Sequence, residues 1–255
     1  MAATGDRHHQ GARTAVALTP EWAASNLAPR FTVRVPRVVG ERTAARVTRG
    51  PSGLEPLSPL RVRHTGDYVL WAGRGEEVRL VGAQVRVGRY AANAKPLVVR
   101  DAAGRTVARV ALPDFGTQAE VAFRADEGGF YTIAADVGAN AFVLEKANVP
   151  VALDVTKRAV NLVASRGSVC VPVPAGTRVM AFGVAGEGLG ESVGAAVTDP
   201  SGREVWSQAS VSQAERFVVR EPVAAGLWEL RVGKPAQGGF EDFHIEVLGV
   251  PGYLF

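Results

Sequence analysis

A stretch near the carboxyl end of the chain repeats one that lies about a hundred residues earlier. The later copy contains Asp199-Pro-Ser-Gly202, and the earlier copy contains Asp101-Ala-Ala-Gly104. A period of this length corresponds to a whole domain rather than to a short solenoid unit. The anchor pairs, 97 to 101 positions apart, are Gly66 and Gly167, Asp101 and Asp199, Gly104 and Gly202, Gly129 and Gly226, and Val149-Pro150 and Val250-Pro251.

Both copies consist of short β-type segments separated by turns. Apolar residues alternate with polar ones, turn residues recur about every 8–12 positions, and no helical apolar stripe is present, which predicts an all-β sandwich. Tyr131 and Trp228 occupy equivalent positions, and their alternation with Ile133 and Leu230 predicts that both rings face the core.

We therefore predict an all-β protein with two tandem antiparallel β-sandwich domains of jelly-roll type. The expected limits are an N-terminal arm over 1–29, a first domain over 30–155 and a second over 156–255. Each domain is expected to close around its own small core. A contact between the domains is expected near the two Val-Pro elements of the repeat.

The charge distribution and the lengths of the apolar runs exclude two classes of partner. The chain has a net charge of +4, and residues 1–63 hold ten arginines against four acids. There is no run of five basic residues and no basic patch interleaved with aromatic residues, so nucleic acid is not an expected partner. No apolar run reaches the about 18 residues of a membrane span.

The sequence does not decide the cellular compartment of the protein. The first 18 residues lack the pattern of a signal peptide, which leaves either a cytoplasmic protein or part of a longer exported chain, the second with an extracellular or periplasmic location. The single cysteine, Cys170, excludes an intrachain disulfide framework and is expected to be a small buried residue.

The second copy carries a set of turn and strand motifs. They are Gly167-Ser-Val, Val173-Pro-Ala-Gly176, Asp199-Pro-Ser-Gly202 and Ala225-Gly-Leu-Trp-Glu-Leu-Arg-Val232. In these motifs the chain resembles the bacterial pre-peptidase C-terminal domain over about 90 residues. The resemblance implies a jelly-roll-like accessory module of secreted enzymes, which helps folding, localisation or substrate attachment.

One catalytic motif matches by letter. Gly190-Glu-Ser192-Val-Gly194 fits the nucleophile elbow Gly-x-Ser-x-Gly, which requires a strand before the serine and a helix after it. Here a strand-like segment follows the serine, and His244 is the single histidine downstream of it. We therefore expect a flexible loop at Ser192, no catalytic residues and no enzyme activity.

Metal ligands are sparse. His8 and His9 lie in the predicted arm, and His64 and His244 lie in different copies, so zinc is not expected. Asp101 and Asp199 are weak calcium candidates, because a single carboxylate per turn falls short of the six to eight oxygens that calcium takes. Their favoured role is to accept hydrogen bonds within the turn. No cofactor is predicted.

Aromatic residues are the remaining candidates for a contact surface. Trp71 and Tyr90, with Trp22 in the arm, have no aromatic counterpart in the other copy, so the fold does not demand them. Trp206 is ambiguous: alternation from Val205 points it outwards, whereas its counterpart Ala108 points it inwards. We predict a ligand surface among Trp71, Tyr90 and Trp206.

These observations favour a non-catalytic accessory or structural module, at the C-terminal end of a larger exported protein. The alternative is a carbohydrate-binding module that uses the exposed aromatic residues. The expected partners are a polysaccharide or an attached catalytic domain.

Overall fold

The computed structural model describes residues 54–255, and in that range every element is a β-strand. All pairs of these strands are antiparallel. The two observations together confirm the prediction of an all-β, antiparallel fold. The predicted arm and Trp22 lie outside the described residues. The same holds for Phe31-Thr-Val-Arg-Val35, whose alternation of apolar and polar residues predicts a strand. The strands are β1 (Glu55–Pro56), β2 (Val62–Ala72), β3 (Glu77–Val85), β4 (Leu97–Arg100), β5 (Thr106–Val110), β6 (Gln118–Arg124), β7 (Gly129–Ala147), β8 (Val151–Asp154), β9 (Val160–Val163), β10 (Gly167–Val173), β11 (Val179–Gly186), β12 (Val193–Thr198), β13 (Glu204–Val211), β14 (Glu215–Arg220), β15 (Gly226–Gly233), β16 (Asp242–Leu248) and β17 (Tyr253–Leu254).

The alternation of the sequence becomes the two faces of each strand. In β2, Tyr68, Leu70 and Ala72 are buried, while the residues between them are partly exposed. Because successive side chains of a strand point to opposite faces, one face of β2 lines the core and the other faces outwards. Tyr131 and Trp228 are both 3% exposed, which confirms that these two rings lie in the core.

The strand pairing is duplicated. In the first repeat, β2 pairs with the first half of β7, which pairs with β4, and β4 pairs with β5. The second repeat has the order β10, β15, β12, β13. The opposite sheet is β6, β3 and the second half of β7 in the first repeat, and β14, β11 and β16 in the second. The tandem β-sandwich predicted from the repeat is thus present.

The two repeats differ where the chain passes from one sheet to the other. Strand β7 runs through both sheets of the first repeat as 19 continuous residues, although the apolar pattern of the sequence predicts two separate strands there, over 130–135 and 141–144. In the second repeat, β15 and β16 are separate, and the segment between them contains Pro235, Gly238 and Gly239. Proline cannot donate a ladder hydrogen bond and glycine weakens a strand, which accounts for the break.

The repeats join through β8 and β17. These strands follow the two Val-Pro elements and pair antiparallel, with the equivalent residues Leu153 and Leu254 opposite each other. Strand β8 also pairs with β2, and Phe255 exchanges main-chain hydrogen bonds of 2.8 and 3.0 Å with Cys170 of β10. The contact expected near the Val-Pro elements is therefore present.

The core differs from the two separate cores that were expected. Buried apolar side chains of both repeats form one continuous cluster, which includes Leu153 and Leu254 at the junction. A second link between the repeats is the ion pair of Arg63 with Asp242. The division into domains at 155 and 156 stays a prediction, because the described residues share one hydrogen-bonded sheet across that point.

Candidate ligand-binding surface

The two repeated turns hold their aspartates in the same way. Asp101 Oδ1 accepts hydrogen bonds from the amides of Ala103 and Arg105, both at 2.9 Å, and its Oδ2 accepts from Arg105 Nε at 2.7 Å. Asp199 Oδ1 accepts from the amides of Ser201 at 2.9 Å and Arg203 at 3.1 Å, and its Oδ2 accepts from Arg203 Nε at 3.2 Å.

These hydrogen bonds set the charge state of the turns. The hydroxyl of Ser201 and the donors of Arg203 hold the pKa of Asp199 below its usual value. Desolvation acts to raise the pKa of Asp101, but the hydrogen bonds from Arg105 outweigh it, and the net shift is downward. Both oxygens of each carboxylate thus serve the turn. Across residues 54–255, no three His, Cys, Asp or Glu side chains come together in a way that could hold a metal ion.

Ser192 lies in a loop rather than on a nucleophile elbow. Its side chain is 2% exposed, and its hydroxyl donates to the carbonyl of Gln237. Strand β12 follows directly, where an elbow would need a helix. His244 lies on β16, where its register partners are Asn161 and Ala185. Ser192 therefore ties the loop before β12 to the segment before β16.

Trp206 points into the sandwich. It lies opposite Val197, which is fully buried, and its ring stacks on Phe217 with 5.9 Å between centroids and 23° between planes. A register shift after Val197 places Val205 as the extra residue of a β-bulge. Alternation fails at a bulge, so Val205 and Trp206 both pack against the core. Trp206 therefore faces the core, as its repeat partner Ala108 does.

Tyr90 lies in the loop between β3 and β4 and is 51% exposed. The loop is held by the buried side chain of Asn140, which donates to the carbonyl of Ala91 at 2.8 Å and accepts from the amide of Val87 at 3.1 Å. Tyr90 is therefore an exposed ring on an anchored loop.

Trp71 lies on the outward face of β2, directly opposite Phe130 of β7. Trp71 is partly exposed, and a Cβ placed on Gly73 would be 3.8 Å from its ring, so the ring lies against the turn that follows β2. Phe130 is 37% exposed. Phe130 is not among the ring positions predicted from the sequence, although its position next to the inward-facing Tyr131 is a signal that its side chain faces out.

The aromatic pair is specific to the first repeat. The equivalent residues of the second repeat are Pro172 and Leu227, which are opposite each other in the same register. The same strands therefore pair and pack without aromatic rings at these positions. The fold alone does not account for Trp71 and Phe130.

The outward face around this pair continues across β4 and β5. Next to Phe130 along β7 lies Thr132, which is opposite Val69 on one side and Arg100 on the other. One step further, Ala134 is opposite Val98, and Val98 is opposite Arg109. We call this surface the Trp71–Phe130 face; it consists of Asp67, Val69, Trp71, Val98, Arg100, Arg109, Phe130, Thr132 and Ala134.

The three predicted ring positions do not form one surface. Trp71 is level with Phe130, near the start of β7, whereas the loop of Tyr90 is tied to Asn140, ten residues along the same strand. Between Asp136 and Ala141 this strand passes from one sheet to the other, so Phe130 and Asn140 lie in different parts of the sandwich. Trp206 belongs to the second repeat and faces inwards. Of the three, Trp71 alone lies next to a second exposed aromatic ring within the described residues.

The side chains of the Trp71–Phe130 face have the chemistry of a ligand-binding surface and do not form a catalytic arrangement. Two aromatic rings on a sheet face give an apolar platform of defined orientation. Arginine and threonine side chains beside it supply hydrogen-bond donors, and the threonine hydroxyl can also accept. A flat ligand with one apolar face and polar edges fits this combination.

Comparison with known proteins shows that this chain is similar to some solved structures in the arrangement of its strands, and in nothing more. No protein-family model matches the sequence, and no curated protein sequence matches it. The solved structures that match include the tandem CBM51 modules of a family 98 glycoside hydrolase from Streptococcus pneumoniae SP3-BS71, with 9% identity over 73% of this chain and 80% of that chain and a TM-score of 0.26. The CBM22-1–CBM22-2 tandem domain of Xyn10C from Paenibacillus barcinonensis has 13% identity over 73% and 81%, with a TM-score of 0.24.

A third match contains a catalytic domain as well. It is the M60 catalytic domain with CBM51-1 and CBM51-2 of ZmpB from Clostridium perfringens, with 7% identity over 81% of this chain and 37% of that chain and a TM-score of 0.26. TM-scores this low give no residue-by-residue correspondence, so the matches assign neither a ligand nor a site to this chain. The resemblance to the pre-peptidase C-terminal domain also stays a prediction. In residues 54–255, no helix is long and apolar enough to cross a bilayer.

Proposed function

We propose that this chain is a non-catalytic accessory β-sandwich module that binds polysaccharide through the Trp71–Phe130 face. The observation that carries the proposal is the outward aromatic pair of the first repeat, where the duplicated fold has Pro172 and Leu227 instead. Exposed aromatic residues that the fold does not require are candidates for recognition.

Sugar rings have the chemistry that this surface would complement. The face of a pyranose ring carries C–H groups and can pack on an aromatic face, while its hydroxyl groups at the edge exchange hydrogen bonds. Thr132 and Arg100 lie beside Phe130 on the same side of the sheet, where they can meet those hydroxyl groups. An open sheet face suits an extended polymer better than a deep pocket would.

In the proposed accessory role, the module serves a catalytic domain elsewhere in the same protein and has no active site of its own. Ser192 is engaged in a loop, and the described residues hold no cluster of metal-ligating side chains. A module of this kind would bring a catalytic domain of the same exported protein to its substrate, outside the cell or in the periplasm. A purely structural role is the second candidate, and the sheet and core shared by the two repeats support it.

Retention on insoluble polysaccharides tests the proposal. The wild-type chain is mixed with a panel of washed polysaccharides, and the bound fraction is compared with that of the Trp71→Ala/Phe130→Ala variant. We expect retention of the wild type on at least one polymer and loss of most of it in the variant. The matched control is Pro172→Ala/Leu227→Ala, which changes the equivalent pair of the second repeat and should keep retention. A wild type that no polymer retains would leave the structural role.

A further inference from the structure

We infer that the ligand of the Trp71–Phe130 face is an acidic polysaccharide, whose ring carboxylates are bound by Arg100 and Arg109. The inference rests on the proposed function and names the class of polymer. It follows from the charges of the outward face and from the way in which these two arginines differ from the others nearby.

Arg100 lies one strand across and one outward position along from Phe130. The two α-carbons are therefore about 8 Å apart, from the spacings of an extended sheet. Its Nη1 donates to the carbonyl of Gly104 at 3.0 Å and to Thr106 Oγ1 at 3.2 Å. These bonds orient the guanidinium and leave its other N–H groups for a ligand.

Arg109 extends the basic surface away from the rings. It is exposed on β5, opposite Val98, and it is again one strand and one outward position from Arg100. Within residues 54–255, neither Arg100 nor Arg109 forms an ion pair with a carboxylate. Two arginines without a carboxylate partner thus continue the line from the aromatic pair.

The acids of this region are paired with other bases. Asp67 faces Arg158 at 3.4 Å, and Asp136 faces Lys95 at 2.7 Å. The paired charges leave the outward face with the two positive charges of Arg100 and Arg109.

At the end of the face near Phe130, three further carboxylates act on another arginine. Asp101 and Glu127 approach Arg105 at 2.7 and 3.8 Å, and the charge of Asp126 also contributes to the raised pKa of Arg105. Their charge is directed at Arg105, in the turn beyond the sheet, rather than at Arg100 or Arg109. An anionic ligand on the sheet face would therefore meet the guanidinium groups of Arg100 and Arg109, which have no carboxylate partner within residues 54–255.

The second repeat lacks this charge. The equivalents of Arg100 and Arg109 are Thr198 and Ser207, as their strand registers show. The arginine on that face, Arg231, contacts Glu204 at 2.9 Å. In the part of the chain that the structure describes, the aromatic pair and the two arginines without a carboxylate partner therefore occur together in the first repeat, and both are replaced in the second.

Arginine suits a carboxylate on a sugar ring. Its planar guanidinium can donate two parallel hydrogen bonds to the two oxygens of a carboxylate, which gives both charge and orientation. A ring that stacks on Trp71 or Phe130 would place a carboxylate at its edge towards Arg100. A neutral polymer would use the rings and leave both arginines without a charged partner.

The test compares polymers that differ in charge alone. Affinity electrophoresis of the full chain is run in gels with polygalacturonate, alginate or hyaluronate, and in gels with the methyl ester of each. We expect retardation by at least one acid form, with at least tenfold weaker binding to its ester. A duplex DNA gel at the same ionic strength tests charge without sugar recognition, and we expect weaker binding there.

Arginine variants assign the effect to the proposed residues. Arg100→Gln and Arg109→Gln should each weaken binding to the acid form about fivefold or more and leave binding to the ester unchanged. Arg109→Gln is the more decisive variant. Within residues 54–255 no hydrogen bond of the fold involves the Arg109 side chain, so its loss should affect binding and not folding. The control is Arg220→Gln, an exposed arginine on β14 of the second repeat, which should bind as the wild type does.

The outcomes separate the two proposals. Equal binding to acid and ester forms, or to neutral polymers alone, would overturn the acidic ligand and keep the polysaccharide-binding function. Binding to DNA as tight as to the acid polymer would also overturn it, since charge alone would then suffice. Failure to bind any polymer would overturn both.

Discussion

Tyr131 and Trp228 occupy the same position in the two repeats, and each donates to the main-chain carbonyl four residues before it. Tyr131 donates its hydroxyl hydrogen to Glu127 O at 2.7 Å, and Trp228 donates Nε1–H to Ala224 O at 2.9 Å. Two different side chains thus fill equivalent buried positions of the two repeats and donate to equivalent main-chain carbonyls. A buried Tyr or Trp needs such a partner for its polar atom.

Removing the donor should lower stability in both repeats. Tyr131→Phe keeps the ring and loses the hydroxyl, so we expect a loss of about 1 kcal/mol in the free energy of unfolding. Trp228→Phe loses the donor and part of the ring volume, so a loss of about 2–3 kcal/mol is expected. Urea denaturation followed by circular dichroism measures both. Wild-type stability in either variant would show that the shared hydrogen bond is not a stabilising feature.

Trp206 should matter for stability and not for binding. Its ring packs against the core and stacks on Phe217, so Trp206→Ala should cost about 2–3 kcal/mol, somewhat below the range for a fully buried Trp. Retention on any polysaccharide that binds the wild type should be unchanged at a temperature where the variant is folded. The opposite result, normal stability with lost retention, would place the ligand on the second repeat.

The turn aspartates should make stability depend on acid pH. The pKa of Asp199 is lower in the folded chain than its usual value near 3.8. Its carboxylate therefore stabilises the fold above about pH 4, and that contribution is lost as the pH falls through the folded-state pKa. Asp199→Asn should be less stable than the wild type at pH 7, with the difference shrinking at pH 3. Asp101→Asn should behave in the same way, because its pKa is also lowered. Urea midpoints at the two pH values check this, and a difference that does not change with pH would contradict it.

The junction of β8 and β17 should couple the unfolding of the two repeats. Leu254 is 3% exposed and opposite Leu153, so Leu254→Ala should cost about 3 kcal/mol. Because the core is continuous, tryptophan fluorescence and far-ultraviolet circular dichroism should report one coincident transition in the wild type. Leu248→Ala, at a residue 41% exposed on β16, is the control and should change stability by less than about 0.5 kcal/mol. Two well-separated transitions in the wild type would mean that the repeats unfold independently.

Local patterns of the sequence were sufficient for much of the fold. The Asp-x-x-Gly spacing predicts the two turns because the side chain of Asp and the conformational freedom of Gly act within a few residues. Gly104 and Gly202 indeed have positive φ angles of 80° and 87°. Alternation of apolar and polar residues gave the inward rings Tyr131 and Trp228 for the same reason.

The repeat predicts a contact near the two Val-Pro elements, but other features that depend on distant parts of the chain could not be predicted. Strands β8 and β17 are four and two residues long, too short for a pattern, and they form because equivalent ends of the two repeats meet. The bulge at Val205 reverses the alternation that would place Trp206 outside. The position of Phe130 opposite Trp71 depends on the register of β2 and β7, which lie far apart in the sequence, so local alternation does not reveal the pair.

Amide hydrogen exchange of the full chain with and without a bound polysaccharide tests the central claim most directly. Ligand binding slows the opening of the strands that it covers. We predict added protection at 69–71, 98–100 and 130–132, which form the Trp71–Phe130 face, and none at the equivalent 170–172, 196–198 and 227–229. Protection confined to the second repeat or to the loop of Tyr90, with none on the Trp71–Phe130 face, would contradict it.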